Sequence, residues 1–118
     1  MKQALIKFKE LKISKSQLKE ETGEDLFNVD CPNPVVVNSR DLIKIIQHYI
    51  EKNISISQLI DWVNVVWFTE LYELSAKESD SMVSVLDVLE TLDEDDVTVS
   101  EEDFLKMIDA LLNNITYY

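Results

Sequence analysis

The chain has 118 residues, which is the usual size of one domain and enough to bury a hydrophobic core without a disulfide or a metal. Hydrophobic residues make up 46% and charged residues 29%, a balance that excludes a disordered chain. One glycine and two prolines are too few for the many tight turns of an all-β fold, so the composition favours helices.

The redox and targeting features of the sequence predict a cytoplasmic protein. Cys31 is the only cysteine, so no disulfide can form within the chain. The first residues lack the apolar core of a signal peptide. The longest apolar run, residues 65–68, is far shorter than the roughly 20 residues of a membrane-spanning helix. We therefore expect no membrane partner.

The net charge of −12 is unevenly distributed along the chain. Residues 1–52 contain nine basic and eight acidic side chains, a balance of +1, whereas residues 53–118 contain two basic and fifteen acidic side chains, a balance of −13. Such a negative field repels nucleic acid and anionic membranes and accelerates association with a basic protein. A role in solubility alone is the alternative explanation.

The N-terminal part, residues 1–23, is predicted to form a helical hairpin. Apolar residues recur at helical spacing over residues 2–12, which indicates a short amphipathic helix. Ser14 and Gln17 match a capping box that begins a second helix. Gly23 is predicted to end this helix, because glycine adopts the left-handed cap without steric cost.

The next stretch, residues 24–38, is predicted to be an extended linker. It contains both prolines, which disfavour helix in the residues before them. Three consecutive valines, Val35 to Val37, follow and suit a short strand-like segment. The remaining residues, 39–118, are predicted to form the main helical bundle.

Polar caps predict where the helices of the main bundle begin. Asn38, Ser55 and Ser100 each precede an apolar periodic segment, and another helix is predicted from about residue 80 to 92. The helix over residues 58–74 is apolar on more than one face and is expected to be central. The sequence therefore predicts an all-α single domain of about five or six helices.

No residue pattern in the chain predicts an active site. Residues 92–103 approach a calcium-binding loop, but Leu92 would occupy a ligating position and Val97 the position that requires glycine. His48 is the only histidine, and Cys31 lies among acidic residues that disfavour a reactive thiolate. We expect no enzymatic activity, no metal and no cofactor.

The first candidate binding surface is acidic and comes from two helix ends and the loop between them. We call it the acidic surface, and its members are Asp87, Glu90, Asp93, Glu94, Asp95, Asp96, Glu101, Glu102 and Asp103. Residues 93–96 follow a helix C-terminus, where negative charge is unfavourable. Either solvent tolerates these carboxylates or a basic partner binds them.

The second candidate surface is aromatic and lies on the predicted central helix, at Trp62, Trp67, Phe68 and Tyr72. The helical angles between these residues do not place all of them on one face. Either the helix is wholly buried, or at least one aromatic side chain reaches the surface and forms an interface hot spot with a charged rim. Trp62 and Trp67 are the residues that we assign to partner binding.

The stretch from Asp41 to Trp62 resembles the first helical hairpin of small helical bacterial immunity proteins, including those of the colicin type. An apolar helix ends in a polar turn, and a second helix follows the cap formed by Ile54 and Ser55. The resemblance implies tight inhibition of a toxin, often a basic nuclease, by an acidic face. The segment 24–38 is not part of this pattern.

The first functional hypothesis is therefore an immunity or antitoxin-type protein that binds a basic toxin, or another basic protein, through its acidic surface. A second hypothesis is a nucleic-acid mimic of the phage type, whose carboxylates would replace phosphates. A mimic displays its acids in regular rows, whereas these are clustered. A third is a helical adaptor or oligomerisation module, whose apolar contact would be insensitive to salt. The sequence predicts no direct binding to nucleic acid, and it leaves the oligomeric state open.

Overall fold

The computed structural model describes residues 2–23, 26, 33–94 and 98–117. Helices account for most of these residues, so the predicted helical fold is confirmed in outline. A small two-stranded sheet is also present, which the predicted all-α class did not include. The elements in chain order are α1 (Lys2–Lys9), α2 (Lys15–Thr22), β1 (Val35–Val37), α3 (Ser39–Ile50), α4 (Ile56–Phe68), β2 (Tyr72–Leu74), α5 (Ser79–Leu89) and α6 (Glu101–Leu112).

Side-chain caps begin four of these helices. Ser14, Asn38, Ser55 and Ser100 each accept a hydrogen bond from the backbone N–H three residues later, and the side chain of that later residue accepts one in return. These capping boxes satisfy backbone donors that the first helical turn leaves without a partner. The helix starts predicted at these four residues are confirmed.

The helix ends depend on residues in the left-handed region. Gly23 ends α2 as predicted, with φ of 73°. Three other helices end on non-glycine residues with positive φ, namely Leu11 after α1, Lys52 after α3 and Asn114 after α6. In each case the next N–H bonds back to a carbonyl five residues earlier, at 2.8 to 3.0 Å. These motifs satisfy the last carbonyls of each helix and stop it sharply.

The predicted central helix is shorter than expected, because it ends at Phe68 and not near residue 74. Thr69 is extended, and its Oγ1 donates to the carbonyl of Val65 at 2.6 Å and accepts from the N–H of Leu71 at 3.3 Å. The chain then forms β2, which pairs in parallel with β1 in the register Val35 to Tyr72. The strand-like segment predicted at residues 35–37 is confirmed as β1, whereas its partner strand was not predicted.

Helix α4 lies at the centre of the packing, as its apolar sequence predicted. It contacts α1, α3, α5 and β2. Trp62 is 1% exposed, and its Nε1 donates to the carbonyl of Lys9 at 3.0 Å, which attaches α4 to the end of α1. The Tyr72 hydroxyl donates to the carbonyl of Leu5, and burial raises the pKa of this phenol well above its ordinary value. One core therefore includes both the N-terminal hairpin and the main bundle.

The predicted linker, residues 24–38, falls largely outside the described residues. Within it the structure describes Leu26, which is 2% exposed and belongs to the core, and residues 33–38. β1 is alternately buried and exposed, with Val36 on the outer side. The Lys9 ammonium donates to the Val36 carbonyl at 3.5 Å and covers part of the strand edge, where backbone groups otherwise invite pairing with another chain.

We predict that Ser39→Ala stabilises the protein. Ser39 is 3% exposed, and its hydroxyl has no hydrogen-bond partner within the described residues. Removing a buried hydroxyl without a partner should raise the free energy of unfolding by about 1 kcal/mol, measured by urea denaturation.

The matched control is Ser81→Ala. Ser81 is 1% exposed, but its hydroxyl lies 2.9 Å from the Glu78 carbonyl and 3.1 Å from the Asn114 Oδ1. This substitution should lower the free energy of unfolding by about 1 kcal/mol. Equal destabilisation by both substitutions would contradict the assignment of Ser39.

Candidate protein-binding surface

The acidic surface is drawn from the end of α5, the turn after it and the first turn of α6. Asp87, Asp93, Glu94, Glu101 and Glu102 are exposed, and Glu90 is partly buried. Asp95 and Asp96 lie outside the described residues. The structure therefore leaves five of the predicted side chains accessible to solvent.

Few cations neutralise these carboxylates. Four ion pairs occur within the described residues, and one of them, between Lys106 Nζ and Glu102 Oε1 at 3.7 Å, involves the acidic surface. Both of its side chains are well exposed, so the pair contributes little to stability. Most of the negative charge is thus exposed to solvent without an ion-pair partner in the described part of the chain.

Asp103 has a structural role at the start of α6. Its Oδ2 accepts from the Ser100 N–H at 3.1 Å, and its own N–H donates to Ser100 Oγ at 3.2 Å. The hydrogen bond from the Ser100 backbone, followed by that with the Ser100 side chain, lowers the pKa of the Asp103 carboxyl. The Asp103 side chain therefore completes the capping box of Ser100, whereas Glu101 and Glu102 in the same turn are exposed to solvent.

The aromatic residues divide between core and surface. Trp62 is buried, so its assignment to partner binding is wrong, because its whole side chain packs inside the domain. Tyr72 is also buried. Trp67 is partly exposed and stacks on Phe68, with ring centroids 4.7 Å apart. Phe68 is 50% exposed, which confirms that one aromatic side chain of this set reaches the surface.

A further apolar surface lies on α6 and was not predicted. Phe104, Met107 and Leu111 are buried, whereas Leu105 is 54% exposed and Leu112 is 70% exposed. The helical spacing indicates the exposure of these two leucines, because each directly follows a buried residue and lies about 100° around the helix from it.

A cleft of about 490 Å³ lies between the end of α1 and α3, away from the acidic surface. Its lining includes Lys9, Lys12, Lys44 and His48. Lys9 pairs with Asp41 at 3.4 Å and Lys12 with Glu10 at 3.1 Å, so opposite charges offset much of the positive field. In the described residues, no group of three or more His, Cys, Asp or Glu side chains is arranged to hold a metal ion.

We compared the chain with protein families, curated proteins and solved structures. No protein-family model, no curated protein and no solved structure matches the chain. Among the described helices, none is both long enough and apolar enough to cross a membrane.

We predict that the pKa of the Asp103 carboxyl in the folded protein lies below its unfolded value and rises in Ser100→Ala, because the substitution removes one hydrogen bond of the cap. Since the folded pKa is lowered, the cap stabilises the fold above the unfolded pKa, and this contribution is lost as the pH falls through the folded pKa. The measurement is a carboxyl-carbon NMR titration of Asp103.

The Ser14→Ala variant provides the control for this titration. Ser14 makes the same capping box with an uncharged partner, Gln17, so its loss should leave the Asp103 titration unchanged. An identical Asp103 titration in the native chain and in Ser100→Ala would refute the predicted coupling.

Proposed function

We propose that this protein is an immunity or antitoxin-type inhibitor, which binds a basic toxin through the acidic surface. The observation that carries the proposal is the exposed, largely unpaired negative charge in the described part of the acidic surface. The domain that presents this charge is well packed, with a core drawn from its helices and both strands. A rigid, charged surface suits a binding protein.

The uneven charge distribution supports this assignment. Solubility requires a net charge away from zero, but it does not require concentration of that charge in one half of the chain. Here residues 53–118 have a net charge of −13, against +1 for residues 1–52. Concentrated charge produces a directional field, which orients an oppositely charged protein before contact and raises its association rate.

The partner's chemistry follows from this field. A nuclease or another protein that acts on nucleic acid has a basic active-site surface, because it must bind phosphates. A carboxylate surface can cover such an active site and exclude its substrate.

The experiment is capture of partners by the tagged protein from an extract of its source organism, at about 0.1 M and about 0.5 M salt. An acid-neutralised variant, Asp87→Asn, Asp93→Asn and Glu94→Gln, is compared with the native chain. We expect the native chain to recover one basic protein. The association rate measured with that protein should fall at least about tenfold at the higher salt and in the variant.

The control variant is Glu20→Gln, Glu21→Gln and Glu51→Gln, which removes the same number of exposed charges from the other half of the chain. Its association rate should stay near the native value. Inhibition is tested by co-expression, since a toxin that arrests growth alone should not arrest growth together with the native chain. Equal association rates for the native chain and the acid-neutralised variant would rule out binding through this surface.

A further inference from the structure

We infer that the outer face of α6, formed by Leu105, Ile108 and Leu112, receives a basic amphipathic helix of the partner protein. The inference rests on the proposed function and specifies how the partner is held. It adds a short-range apolar contact to the long-range attraction of the acidic surface.

The apolar residues of this face form a continuous stripe. They follow the spacing i, i+3 and i+7, which places them within about 60° around the helix and over about 10 Å of its length. Leu105 and Leu112 are mostly exposed, and Ile108 between them is partly buried. Ile115, directly after the helix, is 54% exposed. Isolated exposed leucines are common, but a stripe with this spacing is typical of helix recognition.

Acidic side chains border the stripe along one flank and at its N-terminal end. Asp109 lies about 40° from Leu105 on the side away from Ile108, and Glu101 lies one turn before Leu105, in line with the stripe. Glu102 is exposed in the same first turn. The only basic residue of α6 is Lys106, which pairs with Glu102. An apolar stripe with negative charge beside it complements a helix that has an apolar face bordered by lysine or arginine.

The stripe is held in a fixed position from both ends of α6. The capping box of Ser100 and Asp103 fixes its start. At its end, the Asn114 Nδ2 donates to the Lys77 carbonyl at 2.9 Å, and the Ser81 hydroxyl donates to the Asn114 Oδ1 at 3.1 Å. The following segment is attached to α5, since the Tyr117 N–H donates to Ser84 Oγ at 2.9 Å. Such a preorganised face loses little conformational entropy on binding.

Charge complementarity selects a basic partner over a second copy of this chain. In a symmetric contact between two copies, the same patch meets itself. Both sides of the contact would then present Glu101, Glu102 and Asp109, and like charges brought together across an interface are repulsive.

The test uses two fluorescent peptides of about 20 residues made of leucine and lysine. One peptide has leucines at i, i+3, i+4 and i+7, and the other has the same composition in scrambled order. Fluorescence anisotropy with the full chain at about 0.15 M salt should show tighter binding of the amphipathic peptide. The double substitution Leu105→Ser and Leu112→Ser should weaken that binding by about tenfold or more, because both leucines lose their apolar contact.

The matched control is Ile56→Ser with Val83→Ser, which changes two exposed apolar residues on α4 and α5. This control should bind the amphipathic peptide like the native chain. Unfolding curves of both variants should remain cooperative, because none of the four side chains belongs to the hydrophobic core. Equal binding of the two peptides, or unchanged binding by the α6 variant, would overturn the inference. A native dimer that the α6 variant abolishes, measured by light scattering, would overturn it in favour of a second copy.

Different experimental results would contradict the docking face and the proposed function. If the basic partner captured from the extract binds the α6 variant as tightly as the native chain, the docking face is wrong and the inhibitor proposal stands. If no basic partner is captured but the peptide binds α6 selectively, the inhibitor proposal fails and the docking face stands.

Discussion

Burial of α4 is the constraint on which the rest of the structure depends. This helix has apolar residues around most of its circumference. Five of its side chains are no more than 1% exposed, namely Leu59, Trp62, Val63, Val65 and Val66. A helix of this kind cannot be stable with one neighbour and needs packing partners on several sides. α1, α3, α5 and β2 supply them, and Trp62 adds a hydrogen bond to the end of α1. α6 then closes the domain by packing on α3 and α5.

The two halves of the chain contribute differently to the domain. Three of the four ion pairs within the described residues use lysines of the N-terminal half, Lys9, Lys12 and Lys15. The C-terminal half has two lysines for fifteen acids, so its carboxylates repel one another in the folded state. Retaining such repulsion lowers stability.

Local signals in the sequence predicted much of the fold. The caps at Ser14, Asn38, Ser55 and Ser100 were predictable because each involves groups three residues apart. The pairing of β1 with β2 was not, because it joins Val35 to Tyr72 across two helices and depends on tertiary packing. For this reason the sequence predicted that the central helix extends to residue 74, although residues 72–74 form β2.

The candidate site was predicted less completely than the fold. Exposure of Asp87, Asp93 and Glu94 follows directly from their charge. Trp62 was assigned to the surface because composition does not show which face of a helix a neighbour covers. Leu105 and Leu112 were missed for the converse reason, since apolar residues are expected inside and only the packing of α6 against α3 shows that they lie outside.

The parallel strand pair also bears on the order of folding. The helices, four of them with side-chain caps, form from contacts close in sequence. β1 and β2 can pair only after α3 and α4 have brought Val35 and Tyr72 together. Closing such a long loop costs entropy before any ladder hydrogen bond forms. We therefore expect the strands to join after the rate-limiting step, so that weakening β1 accelerates unfolding and leaves the folding rate nearly unchanged.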